Sequence, residues 1–159
     1  NTIANVADYI VFMAYDQYGT SSNKAGTTAG YNWVEANIKK FLGQEDVDPE
    51  KIILGIPLYM RLWEEEDDGT AKPEVVNMRD MFDVLPENQV ATWDEELKQY
   101  YVEYEEDGKK YKMWVENEKS VGEKINLANQ YNLAGIAFWE KDRETNDEFW
   151  TFVKEQLNK

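Results

Sequence analysis

Three short segments of the chain are apolar without interruption, and they constrain its fold more than any other feature. They cover residues 9–15, 52–59 and 133–139, and each ends with an aromatic residue close to a polar or charged one. A continuous apolar run indicates a strand that is covered on both faces, which is typical of parallel sheets. We therefore predict three parallel strands, with candidate ligand-binding residues at their carboxyl ends.

Helical patterns lie between and after these runs. Residues 31–42 place their apolar side chains at the spacing of one helix face. A Ser-x-x-Glu sequence beginning at Ser120 and a Thr-x-x-Glu sequence beginning at Thr145 have the spacing of a capping box, so Ser120 and Thr145 are predicted to cap two later helices. The order strand, helix, strand, insertion, helix, strand, helix favours right-handed crossovers and therefore an α/β fold.

The predicted insertion covers residues 64–117. It starts with an acidic loop at 64–69, which lacks the alternating oxygen ligands of a calcium loop, so we predict no metal site there. A short helical segment near residues 78–85 follows. Two arms of alternating hydrophobicity then flank Asp107 and Gly108, which predicts a β-hairpin with its turn at this dipeptide.

Composition excludes several classes of function. The chain has 17 Lys and Arg against 32 Asp and Glu, a net charge of −15, so it would repel nucleic acids and anionic membrane surfaces. It has no Cys and no His, which removes thiol and imidazole chemistry and the commonest metal ligands. Catalysis would have to use carboxylates, Tyr, Lys or Arg, and we expect no cofactor. No run reaches the about 18 apolar residues of a transmembrane helix.

The three apolar runs end in motifs that have counterparts in a known family. These motifs are Met13-Ala14-Tyr15-Asp16, the segment 54–61 (Leu-Gly-Ile-Pro-Leu-Tyr-Met-Arg) and the segment 133–139 (Leu-Ala-Gly-Ile-Ala-Phe-Trp). Together they resemble glycoside hydrolase family 18, the chitinase-like (β/α)8 barrels, although Met60 stands where the family pattern usually has Gly. Trp93-Asp94-Glu95, Trp114 and Ser120-x-x-x-Lys124 are similar to the bacterial spore-cortex and cell-wall branch.

The resemblance implies that the chain is the carboxyl-terminal part of a TIM (β/α)8 barrel. Residues 1–159 would hold barrel strands six to eight, with 64–117 as a small α+β insertion. A complete barrel needs about 250 residues. The family's Asp-x-x-Asp-x-Asp-x-Glu signature, which supplies the catalytic acid, occurs nowhere in these 159 residues. The proton donor is therefore expected outside this chain.

The resemblance also implies roles for individual residues. In family 18 the acetamido group of the substrate attacks the anomeric carbon. Tyr15 would donate its hydroxyl to the acetamido oxygen and Asp16 would bind the sugar near the cleavage point, so both are predicted to be catalytic. The predicted substrate-binding residues are Met13, Tyr59, Arg61 and Trp139.

Four of these residues also have a structural alternative. Tyr15 could be a barrel-core tyrosine and Asp16 a cap of the following loop. Trp139 could close the barrel end instead of stacking under a sugar, and Arg61 could pair with a nearby acid. All of these roles depend on one geometric expectation, that Tyr15, Arg61 and Trp139 converge at the same end of the sheet.

Three functions remain open from the sequence. The chain could be part of a hydrolase of β-1,4-linked N-acetylglucosamine glycans, chitin or peptidoglycan, that is inactive alone. It could be a lectin-like relative that binds glycan without cleaving it, or an acidic α/β interaction module. Truncation would expose two strand edges, so we expect either a missing amino-terminal barrel half or self-association. The expected location is extracellular or in a bacterial cell envelope, that of spores included.

Overall fold

The computed structural model describes residues 2–43 and 46–158, so the two ends of the predicted unit 1–159 lie outside it. This part of the chain holds two β-sheets and five α-helices. The helices are α1 (Thr2–Val6), α2 (Tyr31–Gly43), α3 (Met81–Val84), α4 (Glu118–Gln130) and α5 (Glu148–Leu157). The strands are β1 (Ile10–Met13), β2 (Ile52–Pro57), β3 (Tyr59–Glu65), β4 (Ala71–Asn77), β5 (Thr92–Asp94), β6 (Gln99–Glu106), β7 (Lys109–Val115) and β8 (Gly135–Trp139).

The smaller sheet contains the three predicted strands in the order β1-β2-β8, and both strand pairs are parallel. This confirms the prediction made from the apolar runs. Gly55 pairs with Met13 on one side and with Ala137 on the other. The carboxyl ends of all three strands therefore lie at one edge of the sheet, as the sequence predicted.

The two faces of this sheet have different surroundings. On one face, Leu54 and Ile56 are fully buried in a core that includes Val121 of α4 and Phe149 of α5. On the opposite face, three side chains that alternate along the chain into β1 remain largely exposed: Tyr9 (63%), Val11 (52%) and Met13 (64%). Helices thus cover one side of the parallel sheet and leave an apolar surface on the other.

The second apolar run is not a single strand. β2 ends at Pro57, Leu58 forms a corner, and β3 starts at Tyr59 in the other sheet. Leu58 N donates to Trp139 O at 2.9 Å, and Leu58 O accepts from Met78 N at 3.1 Å, so this residue joins the two sheets. Antiparallel pairing therefore begins five residues before residue 64, where the sequence indicated the start of the insertion.

The larger sheet has the antiparallel order β4-β3-β7-β6-β5. β6 and β7 form the predicted hairpin, and its turn residues Asp107 and Gly108 have φ angles of 51° and 75°. Positive φ at both central positions is the geometry that favours an Asp-Gly dipeptide. The predicted helical segment near 78–85 is also present, as a 3₁₀ turn at Met78–Asp80 followed by α3.

The fourth helix begins before its predicted start at Ser120. Its N-cap is Asn117, whose side chain accepts from Ser120 N at 3.1 Å, while Ser120 Oγ accepts from Asn117 N at 3.0 Å. Ser120 is therefore the third residue of the helix in a reciprocal capping box, and it is fully buried. The prediction that Ser120 caps this helix was wrong, because Asn117 makes the bonds expected of the cap.

The last helix is present, but its predicted cap is not. Thr145 Oγ1 donates to a carboxylate oxygen of Glu118 in α4 instead of bonding to its own helix. The side-chain oxygen of Asn146 accepts from Glu148 N at 2.9 Å and supports the first turn. Among residues 2–43 and 46–158, the helices are too short or too polar to cross a membrane.

Candidate functional site

Asp16 is the centre of a polar cluster just beyond the carboxyl end of β1. Its Oδ1 accepts a hydrogen bond from Tyr59 OH at 2.6 Å and one from Arg61 Nη2 at 2.9 Å. Asp16 has a φ of 59°, a left-handed conformation that few non-glycine residues adopt. Tyr59 and Arg61 alternate along β3, so they point to the same face of the larger sheet. The cluster therefore joins the two sheets.

The loop after Asp16 folds back on itself. Gln17 N donates to Thr28 O at 2.9 Å and Tyr18 N donates to Thr27 O at 3.2 Å. Gln17 Oε1 accepts from Gly30 N at 2.9 Å, next to the start of α2. These bonds hold the backbone on the carboxyl side of Asp16 and so determine where its carboxylate lies.

The two side chains that donate to Asp16 are both buried. Arg61 is only 4% exposed, and within the described residues its Nε and Nη1 atoms have no hydrogen-bond partner. An unsatisfied buried donor costs free energy, which makes the hydrogen bond from Nη2 to Asp16 important for holding this guanidinium in place. Burial and the hydrogen bond to Asp16 raise the pKa of Tyr59 above its usual value of 10.0, which keeps its hydroxyl protonated.

Tyr15 lies directly over the parallel sheet. A Cβ atom at Gly55 would lie 3.2 Å from Tyr15 Cε1, so the absence of a side chain at Gly55 makes room for the ring. The rings of Tyr15 and Tyr59 meet edge to face, with centroids 6.3 Å apart. Burial and the charge of Asp16 raise the pKa of Tyr15, so its hydroxyl stays protonated and can act as a hydrogen-bond donor at neutral pH.

Met13 and Trp139 occupy the last positions of β1 and β8. The strand register puts both side chains on the sheet face that Tyr15 covers, and they are 64% and 51% exposed. The backbone of Trp139 bonds to Leu58, and the peptide bond between Trp139 and Glu140 is cis. Tyr15, Arg61 and Trp139 thus lie at the same end of the parallel sheet, as expected. Arg61, however, belongs to β3 of the larger sheet and not to a parallel strand.

One further residue beside the cluster had not been predicted. Arg143 donates to Glu140 Oε1 from Nε at 3.1 Å and from Nη2 at 2.9 Å. Its guanidinium lies 5.6 Å from the centre of the Tyr59 ring, and that of Arg61 lies 5.5 Å from the same ring. The only sequence signal for Arg143 is its position shortly after the carboxyl end of a strand.

The acidic loop at 64–69 makes local bonds instead of a cation site. Glu64 pairs with Lys109 at 2.9 Å, Glu66 pairs with Lys72, and Asp68 accepts from the backbone and hydroxyl of Thr70. Across residues 2–43 and 46–158 no group of three or more carboxylates is arranged to hold a metal ion. Around the candidate site, Tyr15, Tyr59 and Arg61 are hydrogen-bond donors, Asp16 and Glu140 are half-exposed carboxylates, and Trp139 is a half-exposed indole.

A parallel β/α sheet with polar and aromatic side chains at the carboxyl ends of its strands defines an α/β protein with a candidate ligand site at that edge. The sequence matches Glycosyl hydrolases family 18 over residues 1–144, and the chain belongs to this family.

Named relatives and solved structures are consistent with this assignment. The "Uncharacterized glycosylase YvbX" of Bacillus subtilis is 27% identical over 154 residues, which cover 96% of this chain and 43% of that protein. A chitinase from Chromobacterium violaceum has a TM-score of 0.86 and 27% identity, over 99% of this chain and 48% of that one. A family 18 chitinase from Cycas revoluta, solved with (GlcNAc)3, shares the fold with a TM-score of 0.78 and 22% identity, over 97% and 48% of the two chains. The chain thus spans about half the length of these proteins.

Proposed function

We propose that this chain is the carboxyl-terminal part of a family 18 barrel that cleaves β-1,4-linked N-acetylglucosamine glycans, chitin or peptidoglycan. The observation that carries the proposal is the cluster of Asp16, Tyr59 and Arg61 beside Tyr15, at the carboxyl ends of parallel strands. Family membership supports a glycosidase, and the (GlcNAc)3 bound to the Cycas chitinase supports an N-acetylated glycan.

Substrate-assisted catalysis needs a donor to the acetamido oxygen, because that oxygen becomes the nucleophile and must be held in place. Tyr15 takes this role, since its raised pKa keeps the hydroxyl protonated and Gly55 leaves room for its ring. Asp16 binds the sugar near the cleavage point while Arg61 and Tyr59 hold its carboxylate. Its second oxygen and its 49% exposure leave it able to contact substrate.

The half-exposed indole of Trp139 forms an apolar floor for a sugar ring, and Met13 extends that floor on the same sheet face. Arg61 contributes to the site through Asp16, because its own Nε and Nη1 atoms are buried. The catalytic acid comes from outside this chain, since the family signature run is absent from the sequence. Glu140 does not replace it, because its carboxylate already pairs with Arg143.

The remaining barrel strands complete the protein by covering the exposed face of the parallel sheet. Val11 and Met13 lie on that face, and in the described residues β1 and β8 each pair only with β2. Without those strands, the same surface and edges drive self-association. We place the parent enzyme outside the cell or in a bacterial cell envelope; an acidic chain without cysteine is compatible with either location.

A titration with (GlcNAc)3 tests the binding part of the proposal. Tryptophan fluorescence of the wild-type chain should change with ligand, and Trp139→Ala should lose most of that change. Trp150→Phe serves as the matched control, because Trp150 is also exposed (37%) but lies on α5. A response that persists in Trp139→Ala and disappears in Trp150→Phe would contradict the proposed site.

A cleavage assay distinguishes a hydrolase from a lectin-like protein that only binds glycan. The same polar cluster and exposed indole would also serve a second function, binding glycan without cleaving it. We expect no cleavage of chitooligosaccharide by this chain alone, and cleavage when the chain is joined to the preceding barrel strands with their signature Glu. Binding with no turnover in that longer protein would favour the lectin-like relative.

A further inference from the structure

A chain of buried polar side chains lies at the base of the insertion, outside the candidate site. Thr27 Oγ1 donates to Gln99 Oε1 at 2.5 Å, and Gln99 Nε2 donates to Glu116 Oε1 at 2.6 Å. Ser120 Oγ donates to Glu116 Oε2 at 2.6 Å, and Lys124 Nζ lies 3.1 Å from both carboxylate oxygens. All five residues are at most 3% exposed, so this buried relay is closed to solvent.

Each bond in the buried relay has a defined direction. The carboxylate of Glu116 can only accept, so the amide of Gln99 has its nitrogen toward Glu116 and its oxygen toward Thr27. The hydroxyl of Thr27 must therefore donate to Gln99, while it accepts from Ala29 N at 3.2 Å. Burial raises the pKa of Glu116, and the ammonium of Lys124 together with the other donors opposes this by stabilising the carboxylate.

The buried relay joins three separate pieces of the chain. Thr27 belongs to the loop after Asp16, Gln99 and Glu116 lie at the base of the β6–β7 hairpin, and Ser120 and Lys124 belong to α4. Well-packed apolar residues often stabilise a fold as well as a buried ion pair does. A fully satisfied polar network instead fixes one relative position of the pieces it joins, because any displacement leaves a buried group without its partner.

Both partners of the Asp16–Arg61 ion pair are attached to this relay. On one side, Thr27 and the adjacent Thr28 bind the backbone that immediately follows Asp16. On the other side, Arg61 lies on β3, which pairs with β7, and β7 leads directly into Glu116. The relay therefore connects the loop that carries the carboxylate to the sheet that carries the guanidinium.

We propose that Gln99 is a positioning residue, which holds the Asp16 loop and the insertion sheet at the separation that the Asp16–Arg61 contact requires. The geometry of this pair is independent of any ligand. The consequence for glycan binding rests on the function proposed above.

The first test measures the ion pair without glycan. The chain has three arginines, so the guanidinium protons of Arg61 can be followed by NMR and assigned with Arg61→Lys. Thr27→Val keeps the side-chain shape but removes the donor to Gln99. We expect proton exchange at Arg61 to accelerate roughly three- to tenfold, the factor that one hydrogen bond is worth. Thr27→Ser restores the hydroxyl and should return the rate to that of the wild type.

The adjacent residue supplies a matched control. Thr28 is also buried (1% exposed), and within the described residues its hydroxyl has no hydrogen-bond partner. Thr28→Val should therefore leave Arg61 exchange unchanged. Val102→Ala controls for stability alone, because Val102 is buried on the opposite side of β6 from Gln99 and Tyr101. If Val102→Ala and Thr27→Val lose the same stability and accelerate proton exchange at Arg61 equally, the proposal is overturned.

Gln99→Met provides a second variant if Thr27→Val does not fold, since methionine matches the volume of Gln99 and lacks both hydrogen bonds. Wild-type exchange at Arg61 in both Thr27→Val and Gln99→Met would also overturn the proposal. In a separate titration, the dissociation constant for (GlcNAc)3 should rise roughly three- to tenfold in Thr27→Val and stay constant in Thr28→Val. If the wild-type chain binds no (GlcNAc)3, the proposed function fails, while Arg61 exchange still decides the positioning role.

Discussion

Asp16 and Arg61 form a 2.9 Å ion pair in which the two partners have unequal access to solvent. The side chain of Arg61 is 4% exposed, whereas that of Asp16 is 49% exposed. The guanidinium therefore depends on the carboxylate for its charge compensation, while the carboxylate keeps one side open to a ligand.

Replacing Asp16 by asparagine should affect both folding and binding. Asp16→Asn leaves the buried charge of Arg61 without its partner, and we expect a loss of about 1–3 kcal/mol in the free energy of unfolding. The free energy of (GlcNAc)3 binding should become less favourable by at least the same amount as the free energy of unfolding falls. Urea unfolding and a fluorescence titration measure the two effects. Asp83→Asn removes the same charge at an exposed position and should change neither. Equal effects of the two substitutions would argue against a special role for Asp16.

Two glycines of the parallel sheet should respond differently to alanine. At Gly55 a Cβ atom would lie 2.8 Å from Phe12 O, a backbone atom that cannot move without disturbing β1. We expect Gly55→Ala to cost about 1–3 kcal/mol and to displace Tyr15. At Gly135 no heavy atom of the described residues lies within 4 Å of the same position, so Gly135→Ala should be tolerated. Urea unfolding measures the stability of the two variants, and near-ultraviolet circular dichroism detects displacement of Tyr15. A similar loss of stability in Gly55→Ala and Gly135→Ala would contradict the close contact at Gly55.

Stability should fall at alkaline pH, partly because of Tyr59. Burial raises the pKa of Tyr59 above 10.0, so the folded state retains the proton more tightly than the unfolded state. The contribution of this proton to the free energy of unfolding is fully present below pH 10.0 and is lost as the pH rises further. Tyr59→Phe cannot ionise, and its free energy of unfolding should fall less steeply between about pH 10 and 12. Tyr9→Phe, at an exposed tyrosine, should retain the wild-type slope; identical slopes in all three proteins would exclude the effect.

Self-association should depend on the exposed face of the parallel sheet. Val11 is 52% exposed on that face, and Val90 is 80% exposed in the insertion. A glutamate at either position adds the same negative charge, but only Val11→Glu places it on the surface that the missing strands would cover. Sedimentation velocity over a range of concentrations should give a smaller assembly for Val11→Glu and no change for Val90→Glu. A wild-type chain that is monomeric at all concentrations would contradict this expectation.

The parallel core was predictable because its signal is local. A continuous apolar run marks each strand, and Asp107-Gly108 marks the hairpin turn by the positive φ it supplies. The corner at Leu58 had no such signal, since residues 52–59 form one apolar run across two strands of different sheets. The cap of α4 was ambiguous for another reason, because Asn117 and Ser120 can both bond to a free backbone N–H.

The candidate site was only partly predictable. The resemblance identified Tyr15, Asp16, Tyr59 and Arg61, and the structure places these four together, but their roles remain predictions. The buried relay joins Thr27 to a residue 72 positions away, and no periodicity or motif encodes such a pairing. Arg143 was missed because contact with the Tyr59 ring depends on the path of the loop after β8.

The hairpin turn offers an exposed point of attachment. Asp107 and Gly108 are exposed, and their neighbours Glu106 and Lys109 are exposed as well. A dye or an affinity peptide fused at this tip would extend into solvent without disturbing the strands beneath it. Labelled in this way, the protein could be tethered to a surface through the hairpin, so that the proposed capture of glycan fragments could be tested one molecule at a time.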